Sequence, residues 1–169
     1  DGAGECGRGF RSVSQTDSMA GWRMGRAVGN ADMVQALVQI KANRASGSPQ
    51  AVQEMAIEAL TGPQDCVDEN VAVYQRRRDR VVSAVRSLGL PVAVPQASLY
   101  VWAGVPPGYT SAELAARLLE EIDIVVTPGS SYGQYGEGYI RLSLTTPDEQ
   151  VEKGCRRLES WQIPPAKGG

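Results

Sequence analysis

Between positions 67 and 88 the apolar residues Val67, Val71, Tyr74, Val81, Val85 and Leu88 return at spacings of four and three, interrupted once by Arg78. Sustained over more than about five turns, this stripe predicts one long amphipathic helix, ended by Gly89 and Pro91. Upstream the pattern is shorter in range. Residues 10–14 and 19–28 alternate apolar and polar positions in the manner of strands, with a polar turn between them. Asn30 or Asp32 is placed to cap a helix with Met33, Leu37 and Ile40 on one face, broken by Ser46-Gly47-Ser48. Ser48 is placed to cap a second helix with Pro49 at its first position and Val52, Met55, Ala56 and Ala59 turned inward. Thr61-Gly62-Pro63 ends that helix and marks a candidate domain boundary. Downstream, 92–94 and 99–103 read as a hairpin around 95–98, and 124–127 and 139–144 as two further strands. Thr110 with Glu113 makes a capping box for a helix running to about Glu121. Thr146 with Glu149 makes another, with Pro147 just inside a helix that ends near Trp161. Residues 1–9 carry four glycines without periodicity, and 163–169 read as a tail.

Strands interleaved with helices define an α/β chain, and 169 residues suffice for one core or two small ones. A net charge of −2 provides no global field for nucleic acid or an anionic membrane. No apolar run approaches about 18 residues and no basic-then-apolar start is visible, so the expectation is a soluble, cytoplasmic protein without nucleic-acid or membrane partners. Cys6, Cys66 and Cys155 are odd in number and form no CxxC pair, which argues for reduced thiols. The chain has no histidine, the commonest metal ligand and general base, and no metal site is expected. Arg76, Arg77, Arg78 and Arg80 could form an anion patch but read more simply as a solvated helix face with stems over the core. Trp22, Trp102 and Trp161 each sit in an apolar pattern and read as core or interface pieces. Met19, Met24, Met33 and Met55 read as packing.

One stretch, 10–29, has residues chosen for a site rather than for a core. Ser12, Ser14 and Arg23 stand at the ends of its strand-like runs, and two hydroxyls with a guanidinium are donors of the kind that converge on a phosphate dianion. Its sequence, FRSVSQTDSMAGWRMGRAVG, resembles the lysine loop of the fold-type I, pyridoxal-phosphate-dependent aminotransferases of class I/II, S-x-S-K-x-aromatic-x(4)-G-W-R-x-G. NRASGSPQAVQEMAIEAL, PQASLYVWAGVPP, VVTPGSSYGQYGEG and YIRLSLT follow in the order of that family, and together they look most like its LL-diaminopimelate-aminotransferase branch.

The resemblance implies an α/β fold in which 1–62 form part of the large, cofactor-binding domain and 63–162 the small α+β C-terminal domain, with 163–169 as a tail. Members of such a family run to about 400 residues, so the glycine-rich phosphate turn, the ring stacked on the cofactor and the aspartate at its pyridine nitrogen are expected to be missing here. It further implies that Ser12, Ser14 and Arg23 bind the phosphate of pyridoxal phosphate and that Arg141, in GYIRLSL, clamps the substrate α-carboxylate. Gln15 occupies the position of the Schiff-base lysine. A carboxamide nitrogen is neither basic nor nucleophilic, so covalent attachment of the cofactor is not expected. Asp17 replaces an aromatic residue and brings a carboxylate toward the phosphate donors.

The function implied is amino transfer between an amino acid and a 2-oxo acid, impaired or absent in this chain unless a complementing chain supplies the lysine and the front of the enzyme. A non-catalytic remnant binding anions or a partner is the alternative. A third reading is a weak serine hydrolase, since Gly129-Ser130-Ser131-Tyr132-Gly133 fits G-x-S-x-G after a strand with Ser131 as nucleophile, though without a histidine partner. Arg141 could instead be structural, paired with Glu137 or another carboxylate. Unpaired edges at 10–14 and 19–28 lead us to expect a dimer or a swapped pair, as in the family.

Overall fold

The computed structural model describes residues 8–166, so Cys6 and the ends of the chain lie outside the description. The chain divides into two compact units, Asp1–Asn70 and Val71–Gly169.

In the first unit, β1 (Arg8–Ser12) pairs antiparallel with β2 (Gly25–Gly29), with Phe10 opposite Ala27 and Ser12 opposite Gly25. The strands are shorter than the alternation predicts. Beyond Ser12 the chain turns around the buried Val13, whose carbonyl accepts the Asp17 and Met19 amides at 3.2 and 3.4 Å. Residues 20–22 then form one 3-10 turn, closed by Arg23 in the left-handed region at φ 53°. This replaces the first half of the strand expected over 19–28, because a backbone already committed to local bonds has no amides left for a ladder.

Asn30 caps α1 (Ala31–Ala42), its side chain accepting the Asp32 and Met33 amides at 3.0 and 3.2 Å. The helix ends short of the predicted breaker, where the Arg44 and Ala45 amides both turn back to the Lys41 carbonyl. α2 (Gln50–Thr61) starts without a side-chain cap. Pro49 takes the N-cap position instead of the first helical one, and Ser48 contributes its carbonyl, to Gln53 Nε2 at 2.7 Å, rather than its hydroxyl. Among the described residues of this unit only Val13 and Ala56 are fully buried. Met33 and Ile40, on the apolar face of α1, and Trp22 stay exposed within it, so Trp22 is not a core residue of this unit.

The division between the units falls inside α3 (Asp65–Ser87), the long helix that the periodicity predicts. The second unit has a three-stranded antiparallel sheet of order β3 (Tyr100–Gly104), β5 (Tyr139–Ser143), β4 (Thr127–Pro128). Val101, Ala103, Ile140 and Leu142 point from one face of it into a core shared with Val81, Ala84 and Val85 of α3, Leu114 and Leu118 of α4 (Ser111–Ile122) and Val151, Cys155 and Leu158 of α5 (Asp148–Ser160). The period of two leaves Tyr100, Trp102, Tyr139 and Arg141 on the opposite face.

Three local expectations are corrected in this unit. The strand at 92–94 reduces to one bridge, Val92 with Ala103, since Pro91 and Pro95 on either side have no amide hydrogen to donate. The strand at 124–127 survives only as β4: Asp123 takes a left-handed conformation and the Ile124 amide closes α4 by donating to the Leu118 carbonyl at 2.9 Å. The Thr110–Glu113 capping box forms, but the Thr146–Glu149 box does not, because Pro147 takes the N-cap position of α5. The arginine run of α3 is largely engaged with carboxylates: Arg77 pairs with Asp148, Arg78 with Asp79, and Arg80 with Glu152 and Glu159 at 2.7 and 2.5 Å. Among the described residues no helix is long and apolar enough to cross a membrane, and no cluster of candidate metal ligands occurs.

Candidate functional site

The residues singled out from the sequence fall at two places, one in each unit. In the first, the turn after β1 brings two hydroxyls into contact. Ser14 donates its amide to Ser12 Oγ at 3.1 Å, and Ser12 Oγ lies 2.8 Å from Ser14 Oγ and 3.4 Å from the Met24 carbonyl. A hydroxyl has one proton, so Ser12 satisfies one of these acceptors at a time and can redirect that proton to a ligand. Arg23, held by its left-handed backbone, donates through Nη1 to the Ala20 carbonyl at 3.2 Å and pairs with no carboxylate among the described residues. Gln15 is exposed on the same turn, and Asp17 is half-buried with its amide bonded to Val13.

In the second unit, Arg141 projects from the outer face of the sheet, opposite Trp102 on β3 and Thr127 on β4. Its guanidinium carbon lies 3.9 Å from the Tyr100 ring centroid and 4.7 Å from that of Tyr132. Trp102 meets Tyr132 and Tyr139 edge to face at 5.4 and 6.5 Å. An arginine covered by rings is held by its faces, which leaves its in-plane N–H groups as the means of binding. Arg141 Nε is buried and has no hydrogen-bond partner among the described residues, and a buried unsatisfied donor costs free energy unless something supplies an acceptor. The structural pairing with Glu137 is not made.

Glu137 instead accepts the Ser111 amide at 2.7 Å and the Ser111 hydroxyl at 2.8 Å, at the N-terminus of α4. The Ser111 amide, its hydroxyl and the Gly138 amide hold the Glu137 carboxyl below the ordinary range. Sequence reasoning missed this link. Its signal was weak: Ser111 follows the capping Thr110, and a serine inside a helix start is unremarkable until it is found completely buried. Ser131 lies exposed on the 3-10 turn Gly129–Tyr132, while its neighbour Ser130 has its Oγ 3.2 Å from Ser111 Oγ, whose one proton goes to Glu137.

A two-layer α/β unit with an outward strand arginine, following a hydroxyl-rich turn and a left-handed arginine, defines a class. The chain belongs to the aminotransferases of class I and II, whose family model matches residues 10–158. It is 58% identical over 162 residues to the LL-diaminopimelate aminotransferase of Dehalococcoides mccartyi (strain ATCC BAA-2266 / KCTC 15142 / 195), covering 96% of this chain and 42% of that protein. The LL-diaminopimelate aminotransferase of Moorella thermoacetica is 50% identical over 157 residues, covering 93% of this chain and 40% of the relative. Among solved structures, the aromatic aminotransferase from Pyrococcus horikoshii OT3 superposes with a TM-score of 0.87 at 30% identity, covering 94% of this chain and 43% of its own. The chain thus spans about two fifths of the length of the relatives it matches.

Proposed function

We propose that this chain carries two anion-binding parts of an aminotransferase and that it does not hold the cofactor covalently. Ser12, Ser14 and Arg23 bind the phosphate of pyridoxal phosphate, and Arg141 binds the α-carboxylate of an amino acid or 2-oxo acid. Residues 1–62 then belong to the cofactor domain and 63–162 to the small domain. The relatives' name points to LL-diaminopimelate as the amino donor in a complete protein.

The observation that carries this reading is Arg141: a guanidinium braced against Tyr100, with a buried Nε that lacks an acceptor. A carboxylate fits that need, since it accepts in-plane charge-assisted bonds without disturbing the stacked faces. The phosphate end of the cofactor fits the donors around Ser12 in the same sense. The aldehyde end does not fit Gln15, whose amide forms no imine and moves no proton. When bound, the cofactor supplies the electron sink for amino transfer. The chain's own residues contribute binding and orientation, and the lysine's tasks fall to no group at position 15. Pairing with a second copy or a complementing chain is part of the proposal, because among the described residues β1 and β2 form a sheet of two strands with no third strand on either edge.

Titration of the full chain with 2-oxoglutarate, followed by calorimetry, tests the carboxylate site. Arg141→Met is expected to weaken binding by about tenfold or more, the worth of charged hydrogen bonds. Equal affinity in the two proteins would remove Arg141 from the site.

A further inference from the structure

We infer that Glu137 is a positioning residue for the carboxylate site, holding the loop at 129–138 so that Tyr132 bears on Arg141. The inference rests on the reading of Arg141 as a carboxylate binder.

The loop is folded on itself. Gly129 and Gly136 pass backbone against backbone, so that a side chain at either would collide with the carbonyl of the other, and Gly133 and Gly138 have φ near 100° and 86°. A compact loop of this kind packs on itself, so its placement depends on its attachments to the rest of the fold. Those attachments lie around one buried residue. Ser111, with no exposed surface, sends its amide and hydroxyl to the two Glu137 oxygens, and its Oγ lies 3.2 Å from Ser130 Oγ and 3.4 Å from the Ser130 amide. One further bond, from the Val105 amide to the Gly138 carbonyl at 2.8 Å, fixes the C-terminal end of the loop. Between these anchors the loop presents Tyr132, 4.7 Å from the Arg141 guanidinium and edge-on to Trp102. Glu137 therefore reaches Arg141 without touching it: the carboxylate fixes the loop, the loop fixes Tyr132, and Tyr132 restricts the guanidinium to the plane in which a carboxylate is received. Helix α4, which carries Ser111, starts with a complete capping box between Thr110 and Glu113.

A double-mutant cycle in the full chain separates this role from plain stability. Binding of 2-oxoglutarate is measured for wild type, Glu137→Ala, Glu137→Gln, Tyr132→Ala and Glu137→Ala/Tyr132→Ala, with circular dichroism and urea midpoints recorded beside it. Glu137→Ala is expected to weaken binding about fivefold or more, as fits the loss of charge-assisted bonds that is only partly transmitted. Glu137→Gln keeps an acceptor for the Ser111 amide and is expected to fall between. In the Tyr132→Ala background the Glu137→Ala change is expected to add nothing to the affinity loss, because coupled residues do not add. Additive losses, or wild-type affinity in Glu137→Ala, overturn the inference while leaving Arg141 in place. If instead the wild type and Arg141→Met bind 2-oxoglutarate equally, the carboxylate site itself falls and takes the role of Glu137 with it.

Discussion

Arg141 and Tyr100 stand diagonally across the β3–β5 ladder, and the Arg141 guanidinium carbon lies 3.9 Å from the Tyr100 ring centroid. Diagonal neighbours on one sheet face are within reach when both side chains are long. The contact stabilises the cation by about 0.5–2 kcal/mol and, more usefully, fixes its plane. Tyr100→Leu is therefore expected to lower carboxylate affinity severalfold without unfolding the unit. Tyr100→Phe, which retains the ring, is expected to bind as wild type. Calorimetric titration with 2-oxoglutarate distinguishes the two, and equal losses would assign the effect to the hydroxyl instead.

Acid should loosen the second unit. Hydrogen bonds from Ser111 to Glu137, from Thr110 to Glu113, from Trp161 to Glu121 and from Arg80 to Glu152 and Glu159 hold these carboxyls below their ordinary value of 4.5. For a carboxyl whose folded pKa is depressed, the stabilisation is present above the unfolded pKa and is lost as pH falls through the folded one. Urea midpoints are expected to be flat near neutrality and to drop once the pH passes below about 4.5, in proportion to the protons taken up on unfolding. Glu137→Gln is expected to flatten part of that drop. The pairing with Glu152 and Glu159 raises Arg80 further from its ordinary range, so it keeps its charge throughout.

The core of the second unit predicts where substitutions hurt. Leu114 is fully buried between α4 and the sheet, and Leu114→Ala is expected to cost about 2–5 kcal/mol in transfer and cavity terms. Val125, 81% exposed, is expected to tolerate alanine within about 0.5 kcal/mol. Urea unfolding of the two variants checks the contrast.

Thiol chemistry gives a further check. Cys155 is buried on the inner face of α5, which pushes its thiol up from the ordinary range, while Cys66 is exposed near the start of α3. In a Cys6→Ser background, an aromatic disulfide reagent is expected to label Cys66 promptly and Cys155 only in denaturant. Prompt labelling of both would mean that α5 opens readily.

Much of the second unit could be read from the chain, because its elements announce themselves locally. The α3 stripe needs only helical periodicity, and Thr110 and Glu113 meet within one turn. The first unit was less legible. The alternation of 19–28 suits a strand, yet Val13 and the left-handed Arg23 draw that backbone into turns. The failures at 92–94 and 124–127 came from prolines and a helix C-terminus, which remove amides from a ladder regardless of side-chain pattern. In the proposed site, Ser12, Ser14, Arg23 and Arg141 stand in motifs, whereas the approach of Tyr100 and Tyr132 to Arg141 and the bonds from Ser111 to Glu137 join segments that no single window contains.

Borohydride reduction of the full chain incubated with pyridoxal phosphate, followed by mass spectrometry, decides whether the chain holds the cofactor's phosphate but not its aldehyde. The chain has three lysines, Lys41, Lys153 and Lys167. Reversible binding is expected, weakened both by inorganic phosphate and by Arg23→Ala, with only sparse adducts scattered over those lysines. A one-to-one reduced adduct on a single lysine, abolished in Arg23→Ala, would contradict it.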